Sequence, residues 1–139
     1  MSLSKRIAMR AGVAVAGALM LVTGMEVPAS AAARDGHCNA GEFCYYNQSG
    51  LIGSLSDFGG SVADYGTSQP TCYEFKSPGA GQFECVKNNA ASATNNSSHT
   101  VRVYYNSYYG GTYQDIPPHT SVQRLNAALY YENASHKFL

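Results

Sequence analysis

A polar sequence pattern occurs twice in this chain, 37 positions apart, and it restricts the fold more than any other feature. Residues 86–101 read VKNNAASATNNSSHTV, and residues 123–138 read QRLNAALYYENASHKF. Self-similarity at a fixed spacing is typical of a duplicated supersecondary unit that cannot bury a core alone. The shared residues are Asn89, Ala90, Ala91, Asn96, Ser98 and His99, which recur as Asn126, Ala127, Ala128, Asn133, Ser135 and His136.

The pattern therefore predicts two related halves, with His99 and His136 at equivalent structural positions. Each half begins with a tyrosine-rich strand and a turn that closes on a glycine. The first half is expected to be longer by about twenty residues, which lie within 54–85.

The first 33 residues have the pattern of a secretory signal peptide. Lys5, Arg6 and Arg10 precede an uncharged apolar run at 11–25, and small residues follow it. We expect cleavage after Ala31 or Ala33, which makes the protein secreted and extracellular. The mature chain, 34–139, is then one domain without a membrane segment, with Greek key 1 at about 37–98 and Greek key 2 at about 99–139.

The charge of the mature region argues against two classes of partner. Residues 34–139 contain six basic and eight acidic side chains, a net charge of −2, and no cluster of Lys and Arg. Nucleic acid and anionic membrane surfaces both require a basic face. We therefore expect neither as a partner.

All four cysteines lie in the mature region, and an even number in a small exported domain predicts disulfide bonds. Four cysteines allow three pairings. We favour Cys38–Cys44 and Cys72–Cys85, because each pair closes a short loop that contains turn residues. The Cys-x-x-Cys spacing of a zinc site is absent from the sequence.

The mature region shows short β-rich runs separated by Gly, Asn, Ser and Pro, with no helical periodicity. This pattern predicts an all-β sandwich of two Greek keys. The expected strands are 43–47, 53–58, 72–75, 82–87, 101–105, 112–115, 121–124 and 135–138.

The hairpin sequences resemble the βγ-crystallin signature, in which two aromatic residues five positions apart are followed two positions later by glycine. Tyr104, Tyr109 and Gly111 match it, whereas in the first half Tyr46 and Gly53 match and Leu51 replaces the second aromatic. With the segment 38–46, CNAGEFCYY, the chain resembles secreted actinomycete peptidase inhibitors related to the streptomycete metalloproteinase inhibitor. The resemblance covers nearly all of 36–139 and implies a disulfide-stapled βγ-crystallin-like fold and a protein that is not an enzyme.

That resemblance implies an extracellular peptidase as partner, in particular a metalloproteinase, and substrate-like insertion of a rigid loop into its cleft. The candidate loop is 72–85, which a disulfide would close and which contains Pro78 and Gly79. Thermolysin-type enzymes favour apolar residues after the scissile bond, so the candidate inhibitory residues are Cys72, Tyr73, Glu74 and Phe75. The alternative is a stapled insertion that has no target.

Calcium is the one cofactor that the resemblance suggests. Asn88, Asn89 and Ser92 match most of the calcium-binding pattern of βγ-crystallins, but they offer no carboxylate. We expect weak or lost binding, with the asparagines hydrogen-bonded within their own loops.

Two alternatives to the inhibitor remain open. The chain is either an inhibitor or a non-inhibitory extracellular crystallin-type module, and we expect a monomer in both cases. A carbohydrate-binding module would use exposed rings of Tyr108, Tyr109 and Tyr113.

Overall fold

The computed structural model describes residues 34–139, which form two antiparallel β-sheets. Residues 1–33, to which the sequence assigns a signal peptide, lie outside the described residues. Between residues 34 and 139, no helix is long and apolar enough to cross a membrane. The strands are β1 Glu42–Gln48, β2 Ile52–Phe58, β3 Ser92–Asn96, β4 Val101–Asn106, β5 Gly110–Ile116, β6 Thr120–Val122 and β7 Ser135–Phe138.

The two halves of the chain exchange strands between the sheets. The first sheet has the order β2-β1-β3-β6, and the second has the order β5-β4-β7. β6 belongs to the second half, yet it pairs with β3, where Ala93 lies opposite Val122. The reverse exchange is a bridge between Val62 of the first half and His136 of β7. Each half thus contributes to the other half's sheet, as in the predicted sandwich of two Greek keys.

The hairpins β1–β2 and β4–β5 are built alike. Their registers are interrupted after Tyr46 and after Tyr104, 58 positions later. Gly53 and Gly111 follow the turns with φ values of +84° and +79°, a region that favours glycine. A Cβ on Gly53 would lie 2.7 Å from Cγ of Gln48, and one on Gly111 would meet Asn106 at the same distance. Glycine is therefore required by conformation and by close approach.

A buried serine fastens each hairpin to the last strand of its half. Ser92 Oγ donates to the carbonyl of Gln48 at 2.6 Å and accepts from the N–H of Leu51 at 3.0 Å. Ser135 Oγ makes the same two hydrogen bonds to the second hairpin, with lengths of 2.7 and 3.2 Å. Each serine thus satisfies one backbone N–H and one carbonyl of a turn that have no partner in a neighbouring strand.

These serines show that the 37-position sequence repeat does not match the structural equivalence of the two halves, from which it differs by six positions. Ser92 and Ser135 are equivalent and lie 43 positions apart. His99 and His136 are therefore not equivalent, and only His136 is buried. The pattern misleads because Asn126 begins a turn, whereas the matching Asn89 lies close before a strand. Since the hairpins lie 58 positions apart and the serines 43, the first half is longer by fifteen residues rather than about twenty.

Two predicted strands in the longer half are wrong. Residues 72–75 and 82–87 form only an isolated bridge between Glu74 and Cys85. The segments pack as a loop against the sheet edge, where Phe75 and Val86 are fully buried, so their β-like composition does not reflect strand pairing.

The structure also contains a strand, β3, in the polar repeat at 86–101, where the sequence predicts no strand before residue 101 other than the end of 82–87. Asn95 is fully buried in this strand, and its Nδ2 donates to the carbonyls of His99, Ile116 and Pro117 at 2.7 to 3.0 Å. Composition gave no indication of this strand, because polar side chains hold it in place.

The core lies between the sheets and draws on both halves. Its buried members include Phe43, Tyr45, Phe58, Tyr65, Phe75, Val86, Val101, Val103, Ile116, Leu125 and Leu129. Alternate residues of β4 point inward, as the two-residue period of a strand requires.

A chain of hydrogen bonds crosses this core. His136 Nε2 lies 2.8 Å from the carbonyl of Gly60, which can only accept, so this nitrogen carries the proton. Nδ1 then accepts from the hydroxyl of Tyr65 at 2.6 Å, and Tyr65 accepts from Tyr45 at 2.8 Å. All three side chains are buried. Burial lowers the pKa of His136 to about 3, so the imidazole is neutral in the folded protein.

The hairpin glycines give a first prediction. Gly53→Ala should lower the free energy of unfolding by about 1–3 kcal/mol, because alanine is strained at this φ and meets Gln48. Denaturant titration measures this change. Gly60→Ala is the matched control, since no heavy atom lies within 4 Å of its Cβ position. An equal loss in both variants would contradict the account.

The buried histidine gives a second prediction. Unfolding returns His136 to a pKa near 6.5, so the unfolded chain binds more protons between pH 6.5 and 3. The stability should therefore fall as the pH falls through this window, by up to about 5 kcal/mol. His136→Gln should flatten this dependence, whereas His37→Gln, at an exposed position, should leave it unchanged. Parallel pH profiles for the wild type and His136→Gln would contradict the assignment.

Candidate functional site

The structure forms the two disulfides that the sequence favours. Cys38 pairs with Cys44, six positions away, and Cys72 pairs with Cys85, thirteen positions away. No free cysteine remains. The second disulfide closes residues 72–85, which we call the disulfide loop.

The disulfide loop lies along the outer edge of β2. The N–H groups of Lys76 and Ser77 donate to the carbonyl of Leu55 at 2.8 and 3.3 Å. Ser54 N donates to the carbonyl of Ala80 at 2.9 Å, and Leu55 N donates to Ser77 Oγ at 2.8 Å. These bonds cover a sheet edge that would otherwise be open and hold the loop in one conformation.

The four candidate inhibitory residues differ in accessibility. Phe75 is fully buried and Cys72 is 7% exposed, so neither side chain can reach an enzyme in this conformation. Glu74 is half-buried, and Tyr73 is 38% exposed. Phe83, a further aromatic residue of the loop, is 59% exposed on its returning arm. The exposed apolar surface of the loop is therefore formed by Tyr73 and Phe83.

The backbone around the Cys72–Tyr73 bond is held by other parts of the chain. Tyr73 N donates to the carbonyl of Tyr65 at 2.8 Å, and its own carbonyl accepts from Val86 N at 2.8 Å. Cys72 N donates to the carbonyl of Ser68 at 3.1 Å. An extended substrate binds through free backbone groups, and this segment has few to offer.

The side chain of Arg34 also holds the backbone around Tyr73 in place. Its guanidinium lies 4.4 Å from the ring centroid of Phe58 and 5.2 Å from that of Tyr73. It donates to the carbonyl of Glu74 at 2.9 Å and to that of Asp57 at 2.7 Å. Burial lowers the pKa of Arg34, although the negative charge of Asp57 opposes this effect. The sequence does not predict this role, because Arg34 belongs to no recognisable motif and directly follows the expected cleavage site.

A groove of about 280 Å³ lies between Arg34 and the first arm of the loop. Its lining residues are Arg34, Pro70, Thr71, Cys72, Tyr73, Glu74 and Lys76. Tyr73 thus lines a solvent-accessible groove.

Three carboxylates, Asp35, Glu42 and Asp57, lie within 4.8 Å of one another near Arg34. The two oxygens of Asp57 accept from the N–H groups of Gly36 and Asp35 at 2.8 and 2.9 Å. Glu42 accepts from Asn39 N at 2.8 Å. Burial raises the pKa of Glu42, and the negative charges of Asp57 and Asp35 raise it further. The hydrogen bond from Asn39 has the opposite effect and lowers this pKa. Backbone amides therefore satisfy this cluster, which anchors residues 35–39.

Two of the three candidate calcium residues, Asn89 and Ser92, already have side-chain partners. Ser92 Oγ is used by the first hairpin. Asn89 Nδ2 donates to the carbonyl of Cys85 at 2.8 Å, and the backbone carbonyl of Asn89 accepts from Asn47. Asn88 is exposed with φ of +62°, and its backbone N–H donates to the carbonyl of Asn133. The side chain of Asn89 thus stabilises the turn before β3.

The tyrosines of the second hairpin are more exposed than those of the first. Tyr108 is 71% exposed and Tyr113 is 50% exposed, while Tyr109 is half-buried. Tyr104 packs against Tyr109 with ring centroids 5.7 Å apart, as the aromatic pair of the hairpin signature predicts. Tyr46, in the first half, is half-buried.

Comparison with solved structures places this fold among the βγ-crystallins. A structure from a study of the evolution of the eye-lens βγ-crystallin domain fold matches with a TM-score of 0.56 and 14% identity, covering 73% of this chain and 88% of that one. A βγ-crystallin from an archaeon matches with a TM-score of 0.51 and 19% identity, covering 73% and 100%. These identities establish the fold alone.

Sequence comparison identifies the family. No curated protein matches the chain. Residues 31–116, more than half of the chain, match the peptidase inhibitor family I36. Membership points to an inhibitor and not to an enzyme, as the resemblance of the hairpins and the first disulfide predicted. The chain therefore belongs to peptidase inhibitor family I36.

Proposed function

We propose that this protein is exported and inhibits an extracellular metalloproteinase by placing the disulfide loop in the enzyme's cleft. Its membership of an inhibitor family supports a peptidase as partner. Two disulfides and the sequence pattern of residues 1–33 support an exported protein.

The observation that carries the proposal is the exposure of Tyr73 and Phe83 on a loop that is fixed at both ends. Their side chains are 38% and 59% exposed, although both are large and apolar. The loop is held by a disulfide, by β2 and by Arg34. A loop that is already ordered loses little conformational entropy on binding, which favours affinity.

The mode of binding follows from the backbone contacts of Tyr73. Because its N–H and carbonyl already bind Tyr65 and Val86, the enzyme must recognise the loop through side chains that enter its pockets. The aromatic ring of Tyr73 suits the apolar pocket after the scissile bond. The same hydrogen bonds and the disulfide would hold the two sides of the Cys72–Tyr73 bond together, so cleavage would be slow.

Inhibition assays test the two rings. Tyr73→Ala and Phe83→Ala should each raise the inhibition constant against a sensitive thermolysin-type enzyme about tenfold, because buried aromatic anchors dominate binding energy. The matched control is Tyr105→Ala, which removes a ring that is 46% exposed on β4, outside the loop.

The assay uses a panel of metallo-, serine and cysteine peptidases. Inhibition limited to the other classes would reject the metalloproteinase target. Unchanged inhibition by both loop variants would reject the disulfide loop as the contact. Inhibition of no enzyme, with a melting temperature that rises on adding Ca²⁺, would favour the crystallin-type structural module instead.

The role of Arg34 in fixing the loop gives a separate prediction. Arg34→Lys keeps the charge but cannot reproduce the planar set of hydrogen bonds to Glu74 and Asp57. Amide hydrogen exchange at Tyr73 and Lys76 should become about 5- to 30-fold faster, and inhibition should weaken. Arg124→Lys, which changes an arginine over the ring of Tyr130, should leave exchange at these amides unchanged. Equal exchange rates in wild type and Arg34→Lys would contradict this role.

A further inference from the structure

The second sheet has an open edge where the first sheet is covered. β2 and β5 are equivalent strands, since Phe43 lies opposite Phe58 and Val101 lies opposite Ile116 in the same register. On β2, residues 54, 56 and 57 are fully buried beneath the disulfide loop and the segment after Arg34. The equivalent residues of β5 are 112, 114 and 115, of which 112 and 115 are exposed and 114 is half-buried.

Within residues 34–139, no main-chain segment pairs with the outer edge of β5, and the contact there is a hydrogen bond from Asn126 N to the side chain of Gln114 at 2.9 Å. Residues 111–115 make no backbone hydrogen bond to any described segment other than β4. The fifteen extra residues that close the edge of β2 are absent from the second half. The hydrogen bonds between β2 and the main chain of 76–80 show that the edge groups of this type of strand accept main-chain partners from another segment.

β5 also lacks two of the devices that keep open edges unpaired. Its sequence, GGTYQDI, contains no proline and no lysine. Its single charge, Asp115, is neutralised by Arg102 through two hydrogen bonds of 2.7 and 2.9 Å. Pro117 and Pro118 follow the strand and limit the pairing segment to these seven residues.

We propose that β5 pairs with β5 of a second copy, which makes a two-fold dimer with a continuous six-stranded sheet. Antiparallel pairing centred on Tyr113, the middle residue of the strand, uses the extended residues on either side of it, because Gly111 has a φ of +79°. Tyr113 then faces Tyr113 of the other copy, and Thr112 faces Gln114. Asp115 faces Gly111, so no like charges oppose each other.

A second copy fits this edge for two further reasons. A two-fold axis makes the same surface complementary to itself, and this is the commonest symmetry of protein dimers. The net charge of −2 in 34–139 produces little repulsion between copies. A single strand pair buries less than the roughly 1,200 Å² of a stable complex, so we expect a weak dimer, with a dissociation constant on the order of 10–1000 μM.

Sedimentation of protein purified from the culture medium of a secreting host tests the dimer between 10 μM and 1 mM, concentrations chosen to span roughly this range. Tyr113→Asp and Tyr113→Lys should each raise the dissociation constant at least about tenfold, because each places like charges on the two-fold axis. An equimolar mixture of the two variants should dimerise again, since opposite charges then meet. Tyr105→Lys, on the neighbouring strand, is the matched control and should dimerise like the wild type.

The proposal is overturned if the wild type stays monomeric up to 1 mM or if the Tyr113 variants dimerise normally. A mixture that stays monomeric overturns the pairing centred on Tyr113. If a variant loses the wild-type circular dichroism spectrum, amide exchange of the wild type decides. Protection of 111–115 that grows with concentration supports the dimer, and protection independent of concentration overturns it.

Discussion

The fold depends on the way each hairpin is closed over a glycine and tied by a serine to the last strand of its half. Ser92 and Ser135 each supply one donor and one acceptor to turn groups that would otherwise be unpaired. With the hairpins fixed, β6 and the segment at Val62 can cross to the opposite sheets. The core between the sheets therefore belongs to both halves, and the chain Tyr45–Tyr65–His136 links them through it.

The differences between the halves matter more for function than their likeness. The fifteen additional residues of the first half bury the edge of β2 and become a rigid loop that bears two exposed rings. Arg34, from the start of the described chain, packs against the rings of Phe58 and Tyr73 beside this loop. The second half has the same hairpin without the cover. The duplicated scaffold thus carries an ordered disulfide loop on one half and an unpaired strand edge on the other.

The sequence predicted those parts of the structure that local chemistry determines. The hairpin glycines, the β-rich runs and the short Cys spacings each constrain a few neighbouring residues, and they led to the fold and to the disulfide pairing. β3 was missed because the buried amide of Asn95 stabilises it through distant carbonyls. The burial of Phe75, the exposure of Phe83 and the position of Arg34 depend on how the loop packs against β2, which no local pattern encodes. For the same reason the repeated Asn-Ala-Ala sequence does not mark equivalent positions, whereas Ser92 and Ser135 do.

The most direct test of the account is to map the surface that the peptidase covers. Amide hydrogen exchange of the inhibitor would be compared with and without a saturating amount of a thermolysin-type enzyme. The account predicts new protection centred on residues 72–85, at Tyr73 and at Phe83, with little change in the hairpin β4–β5. Protection of that hairpin with an unchanged disulfide loop would contradict it.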